Sequence, residues 1–532
     1  FYYICLQLFY YIISMATPRE KFVEALGTLK ELQEKGIVAI HTSEISKDSI
    51  RVLLVKKGFL KEIIKGWYIP TDPEERPGDS TSWYTSYWDF CAKFLEQKYG
   101  ADWCISAEQS LQLQAGNYTV PIQLIAKSPK ANNTLTNLPF NTTLFNLKAD
   151  LPDKSLVTMQ NGIRKYTLSG ALIYASANTY ARNPIDARTA ASMIRDASEL
   201  LPVLLENGHT SIAGRLAGAF RNIGRDRIAD NILGAMRSAD FSVRESDPFE
   251  EKIEIKLSAR ERSPYANRLR LMWQMMRGTI IQNFPAAPGI PKDKEAYLKH
   301  IDEVFVTDAY HSLSIERYRV TPELINKVSS GAWDKDTDPE DKKQKDAMAA
   351  RGYWQAFQKV KDSINKIMNG ANSGKQTDAD HPVWYRELFD PSVSAGILKA
   401  SDLAGYRNGQ VFISSSKHTP LNVDAMRDAM PVLFKLIEEE SEASVRAVLG
   451  HFLFVFIHPY MDGNGRMGRF LMNAMLASGG YPWTVIPVEK RAAYMEALER
   501  ASTVQDIEPF AKFLGHLVEQ EMMGKPEAHL PQ

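Results

Sequence analysis

The sequence predicts a multidomain, mainly α chain: a C-terminal all-α domain carrying a β-hairpin, preceded by a winged helix and a small α+β unit. Three observations lead there. At 532 residues the chain exceeds what one hydrophobic core ordinarily serves. After SDPFEEK (246–252) apolar residues recur at helical spacing almost without a break. Upstream, the alternating runs FLKEIIKGWYIP and VPIQLIAK sit among turn clusters, as strands do.

Lys+Arg and Asp+Glu both number 64, so no global field draws the chain to nucleic acid or acidic substrates. Cys5, Cys91 and Cys104 lack metal-ligand spacing and fit a reducing, cytoplasmic setting. The opening FYYICLQLFYYIIS (1–14) is apolar but short of the ~20 residues a spanning helix needs, and it has no basic start. It reads as a translated upstream extension, the working protein beginning at Met15 without a membrane partner; an anchor on a membrane surface is the alternative.

Residues 15–72 run helix, short helix, helix and hairpin, with Lys47, Arg51, Lys56 and Lys57 on the third helix and Lys61 and Lys65 on the hairpin. This is the shape and charge of a winged helix-turn-helix, and duplex DNA is a candidate partner. Residues 73–245 mix β-rich runs with helices. WCISAEQSLQLQAG (103–116), together with the preceding wing, resembles the antitoxin of AbiE-type bacterial toxin–antitoxin systems by arrangement more than by motif. A helical linker is expected over 246–292. DKDTDPEDKKQKD (334–346) reads as a charged, solvated loop. GANSGKQT (370–377) mimics a phosphate loop, but its glycines are too close, Gln376 stands where Ser or Thr is needed, and a helix precedes it. It is read as a helix end and a loop.

The chemistry concentrates in HPYMDGNGRMGRF (458–470). VRAVLGHFLFVFI before it is a buried helix delivering His458, and RMGRFLMNAMLASGG after it is a second helix. Between them DGNG is turn chemistry. Backbone N–H groups of Gly463, Asn464 and Gly465 then converge at a helix N-terminus, which favours phosphate. Arg466 and Arg469, one turn apart, can add bidentate contacts. Asp462 offers a hard oxygen to a Mg²⁺ ion. His458 titrates near neutral pH, which makes it the candidate general base.

These residues resemble the Fic signature H-P-F-x-[D/E]-G-N-G-R-x-x-R, with Tyr460 in place of Phe. The resemblance places a Fic domain at 293–525 and implies transfer of AMP from ATP to a Ser, Thr or Tyr hydroxyl of a target protein, with His458 as base, Asp462 on magnesium and the 463–465 loop and both arginines on phosphates. It further implies three parts. Ser312 and Glu316 in HSLSIERYR resemble the inhibitory S-x-x-x-E-[G/N] motif on a helix at about 293–317, with Glu316 pairing Arg469; Arg317 replaces the usual Gly or Asn, which puts the helix end in question. GYRNGQVFI (405–413), a hairpin signal at Asn408-Gly409, is similar to the target-docking flap, with Gln410, Val411, Phe412 and Ile413 adding to a target strand. Tyr494 stands where the family contacts adenine, while Ser502 replaces a frequent Asn. His451 reads as a packed core histidine supporting the site, and Asn473 as structural support. The alternatives are a deAMPylase, another nucleotidyltransferase, or a DNA-binding regulator whose Fic domain senses nucleotide. A homodimer is left open.

Overall fold

The computed structural model describes residues 17–76, 78–249, 263–331, 341–403 and 405–531. The apolar opening 1–14 and residues 334–340 of the charged stretch lie outside the described residues. Residues 341–346, expected in a loop, are instead the first turns of a helix.

Thr17 and Glu20 close a capping box on α1 (Pro18–Glu34). There follow β1 (Ile40–His41), a single 3₁₀ turn over Thr42–Glu44, α2 (Asp48–Lys56), β2 (Leu60–Ile64) and β3 (Trp67–Pro70). The strands form one antiparallel sheet in the order β1-β3-β2 over a small core of Leu29, Ile40, Leu54, Leu60 and Tyr68. The basic face of this module is partly neutralised from within. Lys47 pairs with Glu24 at 2.6 Å, and Arg51 binds Asp48 at 2.5 Å and the Tyr68 hydroxyl at 2.7 Å.

The second unit sets α3 (Thr81–Tyr99) and α4 (Ala107–Gln114) against β4 (Cys104–Ile105), β5 (Gln123–Ser128), β6 (Thr134–Asn137) and β7 (Thr143–Lys148), in sheet order β4-β5-β7-β6. A hairpin of β8 (Val157–Gln160) and β9 (Ile163–Tyr166) follows. Trp83, Tyr87, Phe90, Trp103 and Leu124 fill its core. The chain is then helical: α5 (Leu168–Tyr174), α6 (Ala177–Arg182), α7 (Pro184–Met193), α8 (Leu201–Glu206), α9 (Thr210–Asn222) and α10 (Asp226–Ser238).

Residues 246–292, expected as a helical linker, contain α11 (Pro264–Asn283), and its interior face is buried through Leu269, Leu271, Met272, Met276 and Ile280. Its charges clamp both sides. Arg268 forms a buried ion pair with Asp186 of α7, while Trp273 and Arg277 bind Glu440 at 3.0 and 2.9 Å. One continuous core therefore runs from the middle helices into the C-terminal bundle.

That bundle comprises α12 (Lys294–Ile315), α13 (Pro322–Ser329), α14 (Asp341–Met368), α15 (Ser373–Ser394), α16 (Val423–Glu439), α17 (Ala443–Ile457), α18 (Asn464–Ala477), α19 (Arg491–Val504) and α20 (Glu508–Met522). Residues 370–377 span the end of α14, where Gly370 has φ 100°, and the start of α15, capped by the Asn372 side chain. They form no phosphate loop.

Residues 405–413 contain no strand, contrary to the hairpin expected there. A two-residue hairpin turn needs positive φ at Asn408 or Gly409, and neither has it. Within this segment Arg407 is buried. Its backbone N–H donates to Pro459 O at 2.9 Å, Nε to His458 O at 2.7 Å, Nη1 to Gly409 O at 2.8 Å and Nη2 to Leu421 O. This segment is organised around one guanidinium instead of a strand ladder.

Candidate active site

Helix α17 is apolar nearly all round and almost wholly buried, which fixes its C-terminal end rigidly. There His458 takes the left-handed conformation, φ 57° and ψ 62°, ending the helix and turning its ring into a cavity. Its Nδ1 lies 3.1 Å from Val455 O. A carbonyl only accepts, so the proton sits on Nδ1 and the Nε2 lone pair is free. Burial lowers its pKa to about 4, and the ring is neutral at pH 7.

The following loop is closed by Asn464, whose Oδ1 accepts from Tyr460 N at 2.9 Å and whose Nδ2 donates to Tyr460 O at 2.8 Å. Besides its backbone N–H, Asn464 thus contributes a buried side-chain clasp that its sequence context does not disclose. Tyr460 itself stacks on Tyr385 with ring centroids 3.7 Å apart. Gly463, at φ 80°, supplies the left-handed step into α18, and its N–H turns to Asp462 Oδ1 at 2.6 Å.

Gly465 marks the N-terminus of α18, and what stands against it is Glu316. A side chain at Gly465 would collide with the Glu316 carboxylate and crowd Arg469 Nη1 at 3.2 Å. Glu316 caps the C-terminal end of α12 and reaches Arg469 Nη2 at 2.8 Å. Arg469 Nε also donates to Ser312 Oγ at 2.8 Å and Nη2 to Ser312 O at 3.0 Å. Burial works to raise the Glu316 carboxyl, but Arg469 and then Arg466 outweigh it and hold the group below its ordinary range. Arg469 Nη1 is buried without a hydrogen-bond partner. An orphaned guanidinium donor beside a helix N-terminus is suited to phosphate oxygen.

Arg317 was the doubtful position at this helix end. It adopts φ 68°, the conformation a glycine would take, with Arg317 N bonded to Ser314 O at 2.9 Å and Tyr318 N to Leu313 O at 3.1 Å. Those are the paired bonds of a Schellman stop, so the turn forms in spite of the side chain.

Glu316, His458, Gly465, Arg469 and Tyr494 line one cavity of about 420 Å³. The Tyr494 hydroxyl lies 2.7 Å from His451 Nε2, and His451 is fully buried, a supporting core residue as its sequence context suggested. Asn473 likewise holds Thr484 through two backbone bonds of 2.8 and 3.1 Å. Ser502 lines the cavity in the region of Tyr494. Asp462 and Arg466 stand apart from this cavity. Arg466 is buried between Tyr318 and Phe389, 5.2 and 5.0 Å from their ring centroids, and reaches Asp462 at 3.4 Å. Asp462 is 69% exposed and lines a neighbouring cavity with Tyr406 and Arg407. Among the described residues no group of three metal-ligating side chains occurs. A single exposed carboxylate fits an ion such as Mg²⁺ that keeps most of its water and leans on substrate phosphates.

The four flap positions are divided. Ile413 lines the His458 cavity, Gln410 and Phe412 line a separate one, and Val411 is buried. Sequence reasoning missed two groups. Arg491 of α19 lines the cavity and donates through Nε to Ile315 O at 2.8 Å, fixing the end of α12. Asp308, one turn before Ser312, is buried against the Tyr353 hydroxyl at 2.7 Å, and burial raises its pKa to about 6. An acid one turn before the Ser-Glu pair was the available signal.

No described helix is long and apolar enough to cross a membrane. Residues 384–476 match the model of the Fic/DOC family. The protein adenylyltransferase Fic of Drosophila ananassae is 33% identical over 121 residues, 22% of this chain and 24% of that protein. Protein adenylyltransferase fic-1 of Caenorhabditis elegans is 30% identical over 112 residues, 20% of this chain and 22% of that protein. The solved Fic-1 fragment (aa134–508) from C. elegans covers 64% of this chain and 97% of its own length at 17% identity, with a TM-score of 0.36. The match spans about a quarter of the length of these curated relatives. The chain carries a Fic domain, and its match begins in α15 and ends in α18, enclosing His458 and the loop that follows it.

Proposed function

We propose that the chain is a nucleotidyltransferase that moves AMP from ATP to a hydroxyl of a target protein and is held back by Glu316. The observation that carries this reading is the Glu316 carboxylate at the α18 N-terminus, bound to Arg469 in the cavity that also holds a neutral His458. An anion already fills a place built for one. The adenylyltransferase names of the matched relatives support the reaction class.

In the active state a nucleotide phosphate replaces the Glu316 carboxylate on Arg469 and the α18 N-terminus. Tyr494 and Ser502 border the space left for the base. The acceptor hydroxyl gives its proton to His458 Nε2 as its oxygen attacks the α-phosphorus, and the bond from that phosphorus to pyrophosphate breaks. Asp462 would hold a magnesium ion, which would supply neutralisation of phosphate charge. With Glu316 in place the phosphates are displaced from in-line geometry.

The test is incubation with Mg²⁺ and α-labelled ATP of the wild type, Glu316→Gly, and Glu316→Gly with His458→Ala. Protein-bound label is expected to rise with the first change and disappear with the second. Label that persists without His458 refutes the assignment. A second reading, removal of AMP from a modified protein, draws on Glu316 being 30% exposed to the same cavity, where its carboxylate can orient a water. Release of AMP from a pre-labelled protein by the wild type but not by Glu316→Gly separates the two.

A further inference from the structure

The segment before α16 is a wall with two faces. Its residues 413–416 line the His458 cavity, while Gln410 and Phe412 line a second cavity of about 220 Å³ whose far wall is the α+β unit. That unit grips the segment directly. Ser415 N donates to Thr81 Oγ1 at 2.9 Å, Thr81 Oγ1 donates to Asp79 Oδ1 at 2.5 Å, and Val120 N donates to Lys417 O at 3.0 Å. Having no hairpin of its own, the segment is held by Arg407 at its start and by the α+β unit at its end.

The second cavity is rich in donors. Lys165 is 2% exposed and lines it, and Gln160 Oε1 at 2.7 Å is its hydrogen-bond acceptor. Among the described residues Lys165 forms no salt bridge, and burial is the one influence acting on its charge. Tyr84, Tyr118 and Tyr265 also line the cavity, and burial raises each phenol, so all three hydroxyls keep their protons. The one acid on the wall is Asp89, which burial pushes towards its neutral form. Burial lowers the Lys165 pKa to about 8, so the ammonium still predominates at neutral pH, and an anion seated beside it offsets the cost of burying that charge. At about 220 Å³ the space is below the ~300–1,000 Å³ of drug-sized ligand sites. It suits one side chain and not a second nucleotide.

We propose that this cavity is the recognition pocket for an Asp or Glu side chain of the acceptor protein, seated on Lys165 while the acceptor hydroxyl, across the 410–416 wall, enters the His458 cavity. The inference rests on the transferase reading and assigns its substrate class: hydroxyl-bearing segments with an acid close in sequence. The α+β unit is then the specificity element of the enzyme.

The test uses the full chain carrying Glu316→Gly, Mg²⁺, α-labelled ATP and peptide libraries with a fixed Tyr, Thr or Ser and randomised flanks. Labelled peptides are expected to be enriched in Asp or Glu at a fixed offset from the acceptor. Adding Lys165→Met, which keeps the bulk and removes the charge, is expected to lower that enrichment about tenfold, the order lost with a charge-assisted hydrogen bond. Tyr118→Phe is expected to lower it less, and neither change should alter self-labelling or the melting temperature by more than a degree or two. An unaltered flank profile in Lys165→Met, or labelled peptides without any acid preference, overturns the proposal. Loss of all label, self-labelling included, from the Glu316→Gly parent refutes the transferase reading itself.

Discussion

Removing the Glu316 carboxylate has a thermodynamic consequence that does not depend on finding the target. Arg469 is 3% exposed, and in Glu316→Gly it keeps its two bonds to Ser312 but loses its anionic partner. Breaking a buried ion pair from one side costs about 3–5 kcal/mol. The Glu316 side chain is 30% exposed, so water reaches the vacancy and the loss falls to about 1.5–3 kcal/mol, that of a hydrogen bond to a charged group. On the proposed reading, nucleotide phosphate supplies the missing anion. Wild type must displace Glu316 to bind it, whereas the variant does not, so ATP affinity should rise about tenfold or more. Bound ligand at a hundred times its Kd adds about 2.7 kcal/mol. Thermal melts of both proteins with and without Mg-ATP read this out: the variant melts lower alone and gains more from nucleotide. Glu316→Gln, which keeps the volume, should fall between. Equal ATP affinity in wild type and Glu316→Gly would show that the carboxylate does not compete with phosphate, and the autoinhibition argument would fail.

Arg317→Gly should raise stability by about 1 kcal/mol in denaturant melts, since a non-glycine residue in the left-handed region costs about 1–2 kcal/mol, part of which glycine returns as backbone entropy; Arg317→Val should lower it. Acid sensitivity follows from three buried histidines and the half-buried His458, whose pKa values burial lowers: His381, His451 and His458 to about 4 and His418 to about 3. They are neutral when folded and take up protons only on unfolding, so their stabilisation is complete above about pH 6.5 and declines as pH falls towards 4. Asp308 and Glu521, raised by burial to about 6 and about 7, act oppositely in that window and offset part of the decline. Melts between pH 4.5 and 6 check it, and a flat profile refutes it. Activity below neutrality should hold until His458 protonates near pH 4. A titration of residues 15–72 against duplex DNA tests the other module: with Lys47 and Arg51 engaged internally, Lys56, Lys57, Lys61 and Lys65 are left for phosphates, and the expected salt slope is about −4. A slope near −6 would mean that those ion pairs open on DNA.

What could be read from sequence was what is local. The loop from His458 to Arg469 is contiguous, and its glycine, cap and arginine positions have chemical meaning without neighbours. The helical middle, α17 and the supporting role of His451 followed from helical spacing in the same way, while that of Asn473 came from the resemblance. The Glu316–Arg469 contact joins residues 153 apart, and no periodicity announces it; only the resemblance did. Arg491 was invisible for the same reason, since its use lies in a carbonyl of another helix.

The hairpin is the instructive failure. Asn408-Gly409 between extended runs is a strong turn signal, but the signal describes a backbone that must satisfy itself. Here Arg407 offers Nε and both terminal nitrogens to three carbonyls, at His458, Gly409 and Leu421. A buried guanidinium must find acceptors for its donors or bear the full desolvation penalty, and Arg407 meets that need on carbonyls from three separate parts of the chain, which holds the segment in an irregular course. The same contact ties the segment to the His458 carbonyl, so the element that walls the acceptor cavity and the residue proposed as base share one anchor. Arg407→Lys tests that coupling. It keeps the charge and loses the fork, and it should free the segment and displace His458 together, lowering kcat as well as raising KM for the acceptor. A change in KM alone would show that the wall and the base move independently.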